Sequence, residues 1–424
     1  KLRKAEQAFH MWKKKDFSFR ASRMKNAGAI VLTNRDAYAR IMTMEMGKVL
    51  TEAKAEVEKC AGACEFFADQ AETFLKDQFV PTEATRSLIA FQPLGAVLAI
   101  MPWNFPLWQV FRFAAPSLMA GNVGLLKHAA NVSQCALMIQ EVFLEAGFPD
   151  GTFQTLLVGS GEVERIIESH EVAPVTLTGS EYAGTQVPAA AGKNLKKTVL
   201  ELGGSDPFIV LEDADLELSA KIATQSRMQN AGQSCIAAKR FIVMEKVSAA
   251  FKDQFRKNIE SLRQGNPMDP ETHVGPVARL DLAEQLEKQL EASIKSGARL
   301  VVGGQRDKCN FQPALLEHVR PGMVAFDEEL FGPIASLIVV RTEEEAIAMA
   351  NKSRYGLGAS VWTTDIERGE HIAREIESGS VFVNSLMRSD QRLPFGGIKK
   401  SGYGRELSAL GIREFVNAKT IFVQ

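Results

Sequence analysis

The sequence predicts an α/β protein of more than one domain, and three observations carry that prediction. The chain has 424 residues, against about 100–200 for one domain, so two or three domains are expected. From residue 123 onward, short β-type runs alternate with helical patterns, which is how βαβ units and parallel sheets read. A second alternating block starts near Gly204, with no repeat, low-complexity tract or Gly/Ser linker between the two. The blocks are therefore expected to pack tightly, with a cleft between them.

The first ninety residues read as helix, with apolar positions at helical spacing through Ala37, Tyr38, Ile41, Met44 and Met46, and again through Val57, Cys60, Cys64 and Phe67. After Pro81 the texture turns to short β-type runs, with strands expected over 87–91 and 96–101. Then come a strand over 123–127, a helix over 133–146, a strand over 153–158 and a short helix over 162–169. A strand over 174–178, a helix over 183–193 and a strand over 197–202 complete the block. The second block reads as a strand over 207–210, a helix over 216–229 and a strand over 240–243. Long amphipathic helices over 248–263 and 279–296 lead to strands over 299–302 and 336–340. A helix over 343–351 and strands over 359–362 and 380–383 follow. Open parallel sheets bind ligands at the carboxyl ends of their strands, so chemistry is sought there.

Charge and composition exclude several classes. Fifty Lys and Arg against 51 Asp and Glu leave a net charge of −1, so no basic excess marks a nucleic-acid binder. At 46% hydrophobic and 24% charged the chain is not disordered. Its most apolar stretch, 94–113, is interrupted by Pro102, Asn104, Pro106, Gln109 and Arg112, so no membrane span is expected. Five scattered cysteines make no disulfide framework. No signal-peptide pattern opens the sequence; it begins at Lys1 without Met, a leader is left open, and the expected compartment is the cytoplasm. The six His residues are dispersed without a metal-ligand spacing, so no metal site is expected. Cys60 and Cys64, four apart on a helix, read as packing, as does Cys135.

Six short segments carry chemistry. In Asn230-Ala231-Gly232-Gln233-Ser234-Cys235 a Cys follows a Gly turn; at a helix start, backbone N–H groups would favour its thiolate, although a free Cys is more often a small buried hydrophobe. In Val199-Leu200-Glu201-Leu202-Gly203-Gly204-Ser205 a Glu ends an apolar strand. Such a setting raises a carboxyl pKa and suits a general base; an exposed strand end is the plain alternative. Met101-Pro102-Trp103-Asn104-Phe105-Pro106-Leu107-Trp108 brackets an amide between two prolines, a rigid neutral donor of the kind an oxyanion hole uses, or simply a turn. Leu177-Thr178-Gly179-Ser180 with Gly184 is a strand-to-helix turn that can cradle phosphate, without a full G-x-G-x-x-G. Asp327-Glu328-Glu329-Leu330-Phe331-Gly332-Pro333 is an acidic loop, and the run from Pro394 through Phe395 to Glu406 is Gly-rich.

Together, in this order and spacing, these motifs resemble the aldehyde dehydrogenase superfamily from about Lys1 to Gln424. The resemblance implies a Rossmann-type nucleotide-binding domain over 1–74 and 95–203, a catalytic α/β domain over 204–408, and a small β oligomerisation arm over 75–94 and 409–424. It implies that Cys235 attacks an aldehyde to give a thiohemiacetal, that the Asn104 amide and the Cys235 N–H hold the oxyanion, and that loss of hydride leaves a thioester. Glu201 then activates the hydrolytic water. For the cofactor it implies Trp103, Lys127, Gly179, Ser180, Gly184, Leu202, Glu329 and Phe331. The partners expected are a small aldehyde and further copies of the chain, as a homodimer or homotetramer, with no nucleic acid and no membrane.

Two departures refine this. After Lys127 the family commonly reads Pro-Ala-Glu, whereas here stand His128, Ala129 and Ala130. A Glu at position 130 would repel a 2′-phosphate and Ala does not, so NADP is favoured over NAD, with Lys127 pairing the phosphate. If Asn104 opens a helix, Trp108 and Arg112 follow on one face, and Arg112 either clamps a substrate carboxylate or forms an internal salt bridge. With Ser234 adding a hydroxyl, Trp108 lining the channel, and Arg388 as a weaker second cation in the loop before Phe395, itself at the substrate site, the expected substrate is a short aldehyde bearing a carboxylate. The local texture resembles the succinate-semialdehyde dehydrogenase branch. Other short aldehydes, of lactaldehyde, betaine or glutarate-semialdehyde type, and a non-catalytic role are the alternatives; the intact Cys235, Glu201 and Asn104 argue against the last.

Overall fold

Four helices fill the first 75 residues of the computed structural model, which describes all 424 residues: α1 (Leu2–Trp12), α2 (Phe17–Thr33), α3 (Arg35–Met46) and α4 (Leu50–Leu75). Asp16 caps α2 by accepting the Phe19 N–H at 2.7 Å, the usual role of an acidic residue at a helix start. Helix α4 buries a face of mostly small residues, including Ala53, Val57, Cys60, Ala63, Cys64 and Ala71. Gly28 of α2 lets the two helices approach, since a Cβ there would lie 3.1 Å from Cys64 and 3.2 Å from the Ala61 carbonyl. The helices end at Leu75, and strands begin at β1 (Gln78–Phe79), earlier than the expected change after Pro81.

The first alternating block runs β2 (Arg86–Pro93), β3 (Ala96–Met101), α5 (Trp108–Ala120), β4 (Val123–His128), α6 (Ser133–Glu145), β5 (Phe153–Thr155), α7 (Val163–Glu168), β6 (Val172–Thr178), α8 (Glu181–Lys193) and β7 (Thr198–Glu201). Strand β5 is three residues long, not six: the Leu156 N–H still bonds the Leu126 carbonyl of β4 at 2.7 Å, and the chain turns outward from Leu157, which is exposed. Helix α5 starts within the most apolar stretch and runs past its end, and every residue of the helix is buried, so no amphipathic period marks it.

The second block comprises β8 (Asp206–Val210), α9 (Leu216–Met228), β9 (Ala238–Met244), α10 (Glu245–Glu260), α11 (Leu280–Lys295), β10 (Arg299–Val302), the hairpin β11 (Arg306–Asp307) and β12 (Asn310–Phe311), β13 (Ala314–Glu317), α12 (Val324–Asp327) and β14 (Ile334–Val340). Then follow α13 (Glu343–Asn351), β15 (Tyr355–Gly356), β16 (Gly358–Trp362), α14 (Ile366–Glu375), β17 (Ser380–Val383), β18 (Ile398–Lys399), β19 (Gly402–Tyr403), α15 (Ser408–Ile412) and β20 (Val416–Val423).

Three larger sheets result. The first has the order β19-β7-β6-β3-β4-β5, parallel except for β19. Its order reverses at β3, so a crevice opens at the carboxyl ends of β3, β4, β6 and β7. Those ends are Met101, His128, Thr178 and Glu201, and three of the six sequence motifs, together with the Lys127–Ala130 segment, lie there. The second sheet has the order β10-β13-β14-β9-β8-β16-β17, parallel except for β10. The remaining motifs precede its strands: Gly204 before β8, Cys235 before β9, and Glu329 and Phe331 before β14. The carboxyl edge of one sheet thus meets the amino edge of the other. In the third sheet, β1-β2-β20, β2 and β20 pair along eight residues, from Arg86 with Val423 to Pro93 with Val416. No helix is long and apolar enough to cross a membrane.

Candidate active site

The segment after β3 is held from three sides. The buried His128 ring ties this segment to the strand end, with Nε2 2.9 Å from the Pro106 carbonyl and Nδ1 3.2 Å from the Met101 carbonyl and 3.0 Å from the Ala129 nitrogen. Buried Glu56 accepts the N–H groups of Leu107 and Trp108, both at 2.9 Å, and pairs with buried Lys48; an anion at the start of α5 suits its dipole. Between these anchors the Asn104 side chain is buried. Its Nδ2 donates to the Gln233 carbonyl at 3.0 Å, and its Oδ1 accepts from Gln109 at 3.1 Å. Asn104 does not open a helix: α5 starts four residues later, because the caps supplied by Glu56 fall at Leu107 and Trp108. Trp108 and Arg112 still share one helical face.

The nucleophile segment is a strained turn. After α9, residues Asn230, Ala231 and Gly232 have φ of 53°, 51° and 73°, and non-Gly residues in that region cost about 1–3 kcal/mol each. The strain is held by Glu52, whose two carboxylate oxygens accept the Asn230 N–H at 2.9 and 3.1 Å, and by Asn230 Nδ2, which donates to the Asn104 carbonyl at 2.8 Å. Lys239 Nζ then donates to the carbonyls of Ser234, Cys235 and Ala237 at 3.0–3.2 Å. Cys235 therefore sits in a turn entering a strand, and the helix-start reading fails. The cause is the run after it, Ala238–Met244, which is buried throughout and forms a central strand of the second sheet. Burial accordingly pushes the Cys235 thiol up to about 12, with the Arg112 and Lys239 cations pulling the other way.

Glu201 ends β7 with its carboxyl buried and both oxygens without a hydrogen-bond partner. Burial raises its pKa well above the ordinary carboxyl value, neighbouring Glu406 adds to the rise, and Arg112 opposes it. A Cβ on Gly396 would come within 2.8 Å of Glu201 Oε1, so glycine gives this carboxyl its room. Arg112 has its anionic partner inside the chain: it pairs with Glu406, both buried. It also reaches Thr178 Oγ1 at 3.4 Å and lies 4.6 Å from the centre of the Phe395 ring. Of the two readings the sequence left open for Arg112, the internal salt bridge is the one present in the fold.

The residues expected to hold a nucleotide gather along the crevice. Ser180 caps α8 by accepting the Ala183 N–H at 3.3 Å, and the Gly179 N–H donates to the Glu201 carbonyl at 3.0 Å. A Cβ at Gly184 would overlap Leu202, so only glycine permits that helix–strand approach. Lys127, half buried at the end of β4, makes no ion pair, and burial lowers its pKa. Ala130 is exposed at the start of the following turn. Across the crevice, Glu329 accepts the Gly204 N–H at 2.9 Å and stands 3.8 Å from Lys239, while Phe331 meets Trp103 edge-on at 5.8 Å. An unpaired cation, a helix N-terminus and a glycine-lined approach fit a phosphate-bearing dinucleotide.

A cavity of about 850 Å³ reaches Cys235, lined by Ser234, Trp108, Arg112 and Phe395 together with Glu52, Glu56, Lys59, Arg388 and Ser389. The sequence reading did not single out Glu52, Glu56, Lys59, Ser389 or Glu406 for a role. The first three stand at helical spacing on α4, where a charge pattern reads as a solvated face.

The aldehyde dehydrogenase family profile matches residues 1–421. A probable succinate-semialdehyde dehydrogenase (NADP+) of Synechocystis sp. is 51% identical over 426 residues, covering 100% of this chain and 94% of that protein. A succinate semialdehyde dehydrogenase (NAD(P)+) of Escherichia coli K12 is 44% identical over 99% of this chain and 92% of its own length. The crystal structure of succinic semialdehyde dehydrogenase from Streptococcus pyogenes, in complex with NADP+, superposes with a TM-score of 0.97 at 39% identity, covering 100% of this chain and 94% of that one.

Proposed function

The chain belongs to the aldehyde dehydrogenase family, and from that premise we propose that it oxidises succinic semialdehyde to succinate with NADP+ in preference to NAD+. The names of its relatives support both substrate and cofactor. Within the fold, the carrying observation is that Asn104 Nδ2 bonds the Gln233 carbonyl, two residues from Cys235. That places a neutral amide donor against the nucleophile turn at the floor of the cavity.

Cys235 adds to the aldehyde carbon, and the developing oxyanion is met by the Asn104 amide and the Cys235 N–H. Each such donor contributes about 3 kcal/mol to the transition state. When bound, a nicotinamide cofactor would supply the hydride acceptor, so that Cys235 would be left holding the acyl group as a thioester. Gly179 and Ser180 would meet its pyrophosphate, with Gly184 allowing close packing against Leu202, Lys127 would pair its 2′-phosphate, and Glu329, Phe331 and Trp103 would hold its nicotinamide end. Ala130 offers no carboxylate to oppose the 2′-phosphate. Glu201, whose burial raises its proton affinity and so makes its carboxylate form a stronger base, takes in that form a proton from the water that hydrolyses the thioester.

Residues 1–74 and 95–203 are read as the nucleotide-binding domain, 204–408 as the catalytic domain, and 75–94 with 409–424 as the arm. On that arm, β20 is an edge strand with Ile421, Phe422 and Val423 exposed. An unpaired apolar edge supports a homodimer or homotetramer, to be weighed by light scattering. Five free cysteines suit a reducing compartment, the cytoplasm.

The test is reduced-cofactor absorbance with succinic semialdehyde, run in parallel with NADP+ and NAD+. Fast turnover with NADP+ ahead of NAD+ is expected. Turnover only with uncharged aldehydes would overturn the substrate, and faster turnover with NAD+ would overturn the cofactor preference.

A further inference from the structure

Of the cations lining the cavity, Lys221 and Arg388 are exposed to solvent, and Lys59 is the partly buried one that the chain leaves without an anion. Lys59, on α4, donates to Ser389 Oγ at 2.8 Å and lies 4.1 Å from the centre of the Trp108 ring. The Trp108 indole N–H donates to the same Ser389 oxygen at 2.9 Å. Ser389 thus accepts twice, and its own proton has no acceptor in the chain. Lys59 has spent one of its three donors and forms no ion pair. The acids nearest it are committed elsewhere: Glu56 to Lys48 and the start of α5, Asp390 to Arg392. Arg112 faces the same cavity, but its charge is met by Glu406 and its plane lies against Phe395.

Resting on the reading of this site as a succinic semialdehyde site, we propose that Lys59 is its specificity-determining cation, pairing the distal carboxylate with help from the Ser389 hydroxyl. Two ammonium protons and one hydroxyl proton converge on the cavity with no internal acceptor. A carboxylate, with two oxygens and about four lone-pair sites, satisfies all three. The indole face beneath Lys59 keeps the ammonium in place through a cation–π contact. Burial and the Arg112 charge lower the pKa of Lys59 to about 8, which fits a cation waiting for an anion. The charged and titratable groups around it are Glu56 and Cys60 on its own helix, Arg112 on α5, and Asp390 beyond β17.

The experiment compares succinic semialdehyde with butanal in Lys59→Met, Lys59→Arg and Ser389→Ala. For Lys59→Met, KM for succinic semialdehyde is expected to rise about 10- to 100-fold, the worth of a desolvated charge-assisted contact, while the butanal KM does not rise. Ser389→Ala gives a smaller rise in the same direction. Lys59→Arg restores most of the discrimination, and its succinic semialdehyde KM stays flat above pH 8, where the wild-type value climbs. An unchanged KM ratio in Lys59→Met, or an equal loss on both aldehydes, overturns the proposal. If the wild type does not turn over succinic semialdehyde, the functional reading fails separately. Calorimetric binding of succinate still decides Lys59: wild type binding more tightly than Lys59→Met upholds it, and equal binding refutes it.

Discussion

The high proton affinity of Cys235 makes a sharp prediction about its reactivity without cofactor. Burial dominates, holding the thiol up to about 12 against the pull of Arg112 and Lys239. At pH 8 that leaves about one thiolate in ten thousand, against about one in four for an exposed cysteine. Alkylation of cofactor-free protein by iodoacetamide, followed by mass spectrometry of the Cys235 peptide, should therefore accelerate about tenfold per pH unit from 7 to 10 without a plateau. Charge changes nearby should move the rate in opposite directions. Arg112→Met removes a stabilising cation and slows alkylation at pH 8. Glu406→Gln removes the anion that balances Arg112 and speeds it. A plateau reached by pH 8–9, or both variants moving the same way, would refute the account, since the thiolate would then be stabilised by something other than these charges.

Glu201→Gln should release one burst of reduced cofactor per active site and then stall, as read by stopped-flow absorbance. Its stability advantage over wild type should also grow with pH. The folded-state pKa of Glu201 lies above its unfolded value, so stability is full below about pH 4.5 and falls by up to about 1.4 kcal/mol per unit above it; urea midpoints at pH 5 and 8 check the sign. Arg112→Met should lose about 3–5 kcal/mol of unfolding free energy, because it strands the buried Glu406 carboxyl, and Arg112→Met/Glu406→Leu should recover part of that loss. Gly184→Leu puts a side chain into Leu202 and should raise the KM for cofactor while the protein loses about 1–3 kcal/mol of stability. Ala130→Glu should reverse the ratio of kcat/KM for NADP+ over NAD+; an unchanged ratio would remove Ala130 from the cofactor argument.

The order of strands and helices was readable because each block alternates short apolar β-type runs, buried on both faces, with amphipathic helical patterns. It failed where burial erased the period. Helix α5 is buried on every side, so its sequence reads only as an apolar stretch with interruptions. Cys235 was misplaced for the opposite reason. The Gly turn was legible, but whether a helix or a strand follows is decided by packing in the middle of the second sheet. Strand β5 stops early although its neighbour β4 runs two residues further, because the chain turns outward after Leu156, which no local propensity records.

The site divides along the same line. Cys235, Glu201, Asn104 and the glycines stand in segments whose composition is unusual for the element they occupy, and such violations of local rules mark chemistry. Glu52, Glu56 and Lys59 break no local rule: on an amphipathic helix they are ordinary charges. Their meaning comes from what α4 is packed against. Glu56 caps α5, Glu52 pins the strained turn at Asn230, and Lys59 faces Ser389 on a loop 330 residues away in sequence. One helix thus sets the oxyanion segment, the nucleophile turn and the far wall of the cavity. The three charges are spaced so that a rigid rod carries all three relations, and a shift of α4 along its axis would disturb every one at once. Substitutions in the buried small-residue face of α4, such as Gly28→Val against it, should therefore alter catalysis and substrate preference together, although none of those residues touches the cavity.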